Sequence, residues 1–140
     1  MKESTIIETR AADENHVVHT VKATGPASYR RAPCAGCPWI KDNAGLFPAE
    51  AFRHSANTAF DMSQKVFACH ESGHEKPATC AGFLLQNSAD NLAIRIRQST
   101  GEIDLRQVTE GGYELHSSYR AMAEANGVPE NDPAIAKCRP

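Results

Sequence analysis

Cys34 and Cys37 are separated by two residues, Cys69 and Cys80 by ten, and 31 residues lie between the two pairs. Thiolates at such spacings are soft ligands, and four of them suit a closed tetrahedral zinc or the corners of a [4Fe–4S] cluster. The plainer reading is a set of unrelated buried thiols, since free cysteine is a common core residue. The short Cys-x-x-Cys loop beside a second pair favours metal. Cys34, Cys37, Cys69 and Cys80 are therefore the expected ligands, with zinc preferred and the cluster as the alternative. Pro33 and Pro38 flank the first loop, and Trp39, Phe67 and Phe83 stand near the cysteines in sequence, where they would shield either kind of site. The fifth cysteine, Cys138, lies near the chain end and is expected to stay apart from the other four.

A second string invites a catalytic reading. His70-Glu71-Ser72-Gly73-His74 matches H-E-x-x-H, in which two histidines one helical turn apart hold zinc and the glutamate activates water. Its surroundings oppose that use. Gly73 weakens the required helix, Pro77 ends it, and Cys69 and Cys80 offer softer ligands for the same ion. His70 and His74 are kept as secondary or alternative ligands, and Glu71 as an ordinary carboxylate. Pro33-Cys34-Ala35-Gly36-Cys37 resembles half of a deaminase signature, but the His-Glu half follows it and lacks the intervening residue. No βαβ pattern supports a thioredoxin-like role.

The elements that would position these groups are short. Ile6 to Arg10 and Val17 to Thr24 read as β-type runs, either a hairpin or a mobile arm. Pro48 to Asn57 reads as a helix with Ala51, Phe52, Ser55 and Ala56 on its buried stripe. Cys80 to Gln86 is expected to be a helical turn packing Phe83 and Leu84 inward. Ser88 or Asp90 would cap a helix over Leu92 to Gln98, with Leu92, Ala93 and Ile96 on one face. Ser117 or Ser118 begins the clearest helix, stopped by Asn126-Gly127.

The composition sets outer limits. The 140 residues are 41% hydrophobic and 23% charged, so a disordered tail and a low-complexity segment are excluded. Fifteen Lys and Arg against 17 Asp and Glu give a net charge of −2, which argues against a broadly basic nucleic-acid surface. The longest apolar runs are too short to cross a bilayer. Met1-Lys2-Glu3-Ser4-Thr5 mixes charges unlike a secretory leader, so a reducing, cytoplasmic setting is expected, as is the persistence of thiols.

Several blocks together resemble a family of small uncharacterised cysteine proteins of bacteriophages and bacteria, a domain of unknown function. They are Pro33-Cys34-Ala35-Gly36-Cys37-Pro38-Trp39, Gly45-Leu46-Phe47-Pro48, Phe67-Ala68-Cys69-His70 and Cys80-Ala81-Gly82-Phe83, followed by Asn91 to Arg95 and Ser118 to Ala123. The resemblance runs from about Arg30 to Val128. It implies that the four cysteines and the histidine after the third belong to the pattern, that His74 has no counterpart, and that Ile40 replaces an arginine. It brings no activity with it.

These readings converge on an α+β fold: a small metal-stapled domain with short strands, a cysteine-rich loop core and about three short helices. The expected layout is an N-terminal hairpin or arm over 1–29, a metal-binding domain over 30–128 and a loose tail over 129–140. The expected function is a non-enzymatic metal-binding module that binds a protein, or less readily a nucleic acid through Arg30, Arg31 and Lys41. A [4Fe–4S] redox or sensing regulator and a zinc protease through His70, Glu71 and His74 are the alternatives. No membrane partner is expected, and the expected location is the cytoplasm, the host's if the chain is phage-encoded.

Overall fold

The computed structural model describes residues 5–11, 17–22, 28–69 and 78–140. The expectation of an α+β fold is corrected. The body, residues 28–69 and 78–140, contains four α-helices and no strand or sheet, and is mainly helical. The helices are α1 (Ala49–Ser55), α2 (Ala81–Asn87), α3 (Leu92–Ser99) and α4 (Tyr119–Ala125), joined by loops and short 3-10 turns. Ahead of the body, β1 (Thr5–Ala11) and β2 (Val17–Lys22) pair antiparallel with each other, from Thr5 opposite Lys22 to Ala11 opposite Val17. Within the body, neighbouring segments meet in isolated bridges, not strands: Tyr29 with Thr79, Ala68 with Thr79, Ile40 with Leu115 and Phe60 with Cys138. The physical reason is length. The cysteine-bearing loops cross one another for a single residue each and turn away before a ladder can extend.

Local chemistry explains the helix ends. Ser118 Oγ accepts from the Ala121 N–H and caps α4, while Gly127, at φ 101°, provides the left-handed stop that Asn126-Gly127 signals. In α1, Glu50 sits in the first turn and Arg53 and His54 in the last, matching the helix dipole. The cap of α3 is Asn91, one residue past the expected Asp90; its fully buried side chain accepts from Ile94 N–H and donates to the Thr58 and Lys65 carbonyls. The face of α3 is also corrected, because Ile94 is buried and Ile96 is 53% exposed.

The core gathers Trp39, Phe52, Phe83, Leu84, Ile94, Ile103, Tyr119, Met122 and Ile135. Ile135 belongs to the tail that was expected to be loose. Instead the tail is bound to the body. Arg120 on α4 donates to the carbonyls of Glu130, Ile135, Ala136 and Cys138, at 2.7 to 3.4 Å. Asp132 pairs with Arg53 at 2.9 Å, and its carboxylate also caps a 3-10 turn begun by Pro133. The prolines thus shape turns here and do not mark a frayed end. No helix among the described residues is long and apolar enough to cross a membrane.

Candidate functional site: four cysteines under an aromatic cover

The first cysteine loop closes on itself, with the Cys37 N–H donating to the Cys34 carbonyl at 3.0 Å and the Ile40 N–H to the Cys37 carbonyl at 3.1 Å. Asn43 clips the loop from outside. Its Nδ2 donates to the carbonyls of Ala35 and Cys37, both at 2.9 Å. The second pair is brought together by the crossing at Thr79. Cys69 N–H donates to the Ala78 carbonyl at 2.6 Å, and Cys80 N–H to the Phe67 carbonyl at 2.9 Å. On the other side of Thr79, Arg30 N–H donates to the Thr79 carbonyl at 2.9 Å, which ties the lead-in of the first loop to the same crossing.

These contacts set the sulfurs in two pairs that run between loops. Cys37 Sγ lies 3.6 Å from Cys80 Sγ, and Cys34 Sγ lies 3.8 Å from Cys69 Sγ. The Cys34 thiol also interacts with Cys37, so the row reads 69, 34, 37, 80. Cys37, Cys69 and Cys80 are buried and Cys34 is half-buried. Contact with the Cys80 thiol holds Cys37 below the usual thiol range against the opposing effect of burial. The same contact, with burial, pushes Cys80 well above it. Among the described residues no disulfide forms, and no three His, Cys, Asp or Glu side chains already converge on one ion position.

An aromatic group shares the buried cluster of Cys37 and Cys80, against which Cys34 also packs. Trp39 meets Phe67, Phe83 and Tyr119 edge-on at centroid distances of 6.1, 6.5 and 6.0 Å, and Phe67 stacks on Phe83 at 6.2 Å. Three of these rings stand within three residues of a cysteine, so the sequence neighbours expected to shield the site do pack together. Tyr119 anchors the cover. Its hydroxyl donates to the Phe52 carbonyl at 2.7 Å and contacts Ser55 Oγ at 2.6 Å, and burial pushes its ionisation far up.

The remaining expected groups divide. His70, Glu71 and His74 lie outside the described residues. Cys138 is buried, not frayed, and its Sγ contacts the Ala56 carbonyl at 3.6 Å. Burial pushes its thiol up to about 11 although Arg120 pulls the other way. The suggested basic group is dispersed: Lys41 pairs with Glu114 at 2.9 Å, Arg30 is half-buried, and Arg31 lies over the Tyr29 ring at 5.1 Å. Asn43 and Gly82 are positioning residues that sequence reasoning missed. Asn43 read only as part of a turn, and Gly82 only as a letter of the Cys-Ala-Gly-Phe block.

No curated protein and no solved structure matches the chain. One family model does, over residues 29–139, and its reach extends past the expected boundary at 128 through the tail that Arg120 holds. It includes all five cysteines and the whole aromatic cover, and on that extent the chain belongs to DUF6283, a family of unknown function.

Proposed function

We propose that this protein is a small zinc-stapled module without catalytic activity, whose role is to bind a protein partner. The observation that carries the reading is the pairing of the sulfurs at 3.6 and 3.8 Å across loops. A zinc tetrahedron with bonds of about 2.3 Å has sulfur-to-sulfur edges of about 3.8 Å, so the pairs have the dimensions of two of its edges. Rotation of the pairs toward each other would close the remaining edges. A [4Fe–4S] cluster asks for something else. Each cysteine takes a separate iron at an outer corner of the cube, which keeps the sulfurs well beyond contact.

Four thiolates fill a zinc tetrahedron and leave no open position for substrate, which supports a structural ion. Its binding would add to folding free energy in a domain whose modest core leaves little margin. The net charge of −2 and the ion pairs that engage Lys41, Arg53, Arg106 and Arg139 favour a protein over a nucleic acid as partner. The resemblance to phage and bacterial proteins suits a cytoplasmic setting, where zinc thiolates persist.

Metal analysis with a visible spectrum of anaerobically purified protein tests the reading. About one zinc per chain and no colour is the expected result. Brown protein holding iron and absorbing near ~400 nm would replace zinc by a cluster. Zinc-dependent cleavage of casein that is lost in Glu71→Gln would overturn the non-enzymatic assignment.

A further inference from the structure

The cross-loop pairing has a chemical consequence when the site meets an oxidant. Cys34 is the half-buried member of the row, beside an exposed Ala35, whereas Cys37, Cys69 and Cys80 are 1%, 4% and 2% exposed. Its sulfur is the one that a small oxidant in solution reaches first. The sulfur pairs lie at 3.8 Å for Cys34 and Cys69 and 3.6 Å for Cys37 and Cys80. A disulfide bond is about 2.05 Å long, so each pair closes with a sulfur movement of roughly 1.5 to 1.8 Å. The alternative Cys34–Cys37 bridge must form inside a turn already set by the Cys37 N–H bond to Cys34 O and by the Asn43 clip. In that turn the Cys37 sulfur is engaged with Cys80.

We infer that these cysteines form a reversible redox switch, in which a peroxide-class oxidant joins Cys34 to Cys69 first and Cys37 to Cys80 second. In the first step the peroxide O–O bond breaks, Cys34 sulfur takes one oxygen to become a sulfenic acid, and one water leaves. The Cys69 sulfur then attacks the Cys34 sulfur, the S–O bond breaks, and the oxygen leaves as a second water. Two thiols have together lost two electrons and the peroxide has gained them; the Cys37–Cys80 bond consumes a second peroxide in the same two steps, releasing two more waters. If the sulfurs start as metal-bound thiolates, two protons come from solvent. The inference rests on the zinc reading only for what is released, because a disulfide sulfur is a poor ligand and oxidation of one pair removes two of the four.

Peptide mapping of the full chain tests the pairing. Protein purified with its metal is treated with about one equivalent of hydrogen peroxide, blocked with N-ethylmaleimide, and cut with trypsin and a Glu-specific protease. The expected product joins peptide 32–41 to peptide 66–71, and fragmentation assigns the bond to Cys34. Zinc appears in solution in step with it, read by a chromophoric chelator, and a phosphine reductant restores binding. A bond within peptide 32–41, or oxidation to sulfinic acid without a disulfide, overturns the inference. Metal content of the untreated protein is read separately. The predicted disulfides in a chain that never held metal would overturn the zinc reading alone, whereas zinc with a Cys34–Cys37 bond would overturn the switch alone.

Discussion

Gly82 lies directly against Trp39: a Cβ at position 82 would fall 2.5 Å from Trp39 Cβ and 2.7 Å from Cγ. The first turn of α2 is therefore seated on the tryptophan stem, and the Cys80-Ala81-Gly82-Phe83 and Cys37-Pro38-Trp39 blocks are two halves of one contact. The Trp39 stem cannot swing away as the end of a long side chain could. Gly82→Ala is expected to lower stability by about 3 kcal/mol, the upper end of ordinary overpacking. It should also weaken metal retention, because the turn that moves carries Cys80. Denaturant titration with metal analysis checks both, and wild-type values would show that α2 does not rest on Trp39.

Arg120 gives a second prediction. Its guanidinium bonds to carbonyls from Glu130 to Cys138 and is the main polar link between α4 and the tail. Arg120→Ala should cost about 2 kcal/mol, in the range for bonds to a charged donor. Amide exchange should accelerate across 130–138. Arg120→Lys keeps the charge without the planar fork and should fall between the two.

The parts of this architecture that were legible are those written locally. A serine cap at 117 or 118, found at Ser118, Asn126-Gly127 as a stop, and a helix expected over Pro48 to Asn57 and found over Ala49–Ser55 follow from residues within a turn of one another. The cysteine spacing marked four thiols, and the structure sets their sulfurs in neighbouring pairs. The fold class was not legible, because single-residue bridges such as Ala68 to Thr79 leave no alternating pattern to distinguish them from strands or coil. The face of α3 failed for a related reason. Eight residues with apolar groups at 92, 93, 94 and 96 fit more than one stripe, and only the tertiary setting of Asn91 decides between them. Arg120 and Gly82 act on partners far along the chain, and nothing in their own neighbourhoods announces it.

Cys138 and Cys69 separate a core thiol from a site thiol. Cys138→Ser exchanges one small buried group for another beside the Ala56 carbonyl and should cost about 1 kcal/mol with metal content unchanged. Cys69→Ser removes a proposed ligand and should cost several-fold more, with the metal lost. Thermal melts at matched metal loading, read with metal content, decide the matter. Equal losses would mean that metal contributes nothing to folding.

His116 supplies a pH prediction. The residue is 5% exposed, its Nε2 is buried without a hydrogen-bond partner among the described residues, and its pKa lies below 6.5, through burial first and the Lys41 charge second. The unfolded chain takes up this proton before the folded one, so the His116 contribution to stability is full above about 6.5 and declines as the pH falls below that value. NMR titration should give a midpoint below 6.5. Lys41→Gln should raise the midpoint but leave it below 6.5, since burial remains. A midpoint at or above 6.5 in the native protein would contradict the buried neutral ring.

Whether Cys34, Cys37, Cys69 and Cys80 hold one zinc ion among them is read from X-ray absorption at the zinc edge of the purified protein. The expected spectrum shows four sulfurs bound at about 2.3 Å with no nitrogen or oxygen neighbour. A shell containing histidine nitrogen and water oxygen at about 2.0 Å would move the metal toward His70 and His74 and contradict the closed four-thiolate site.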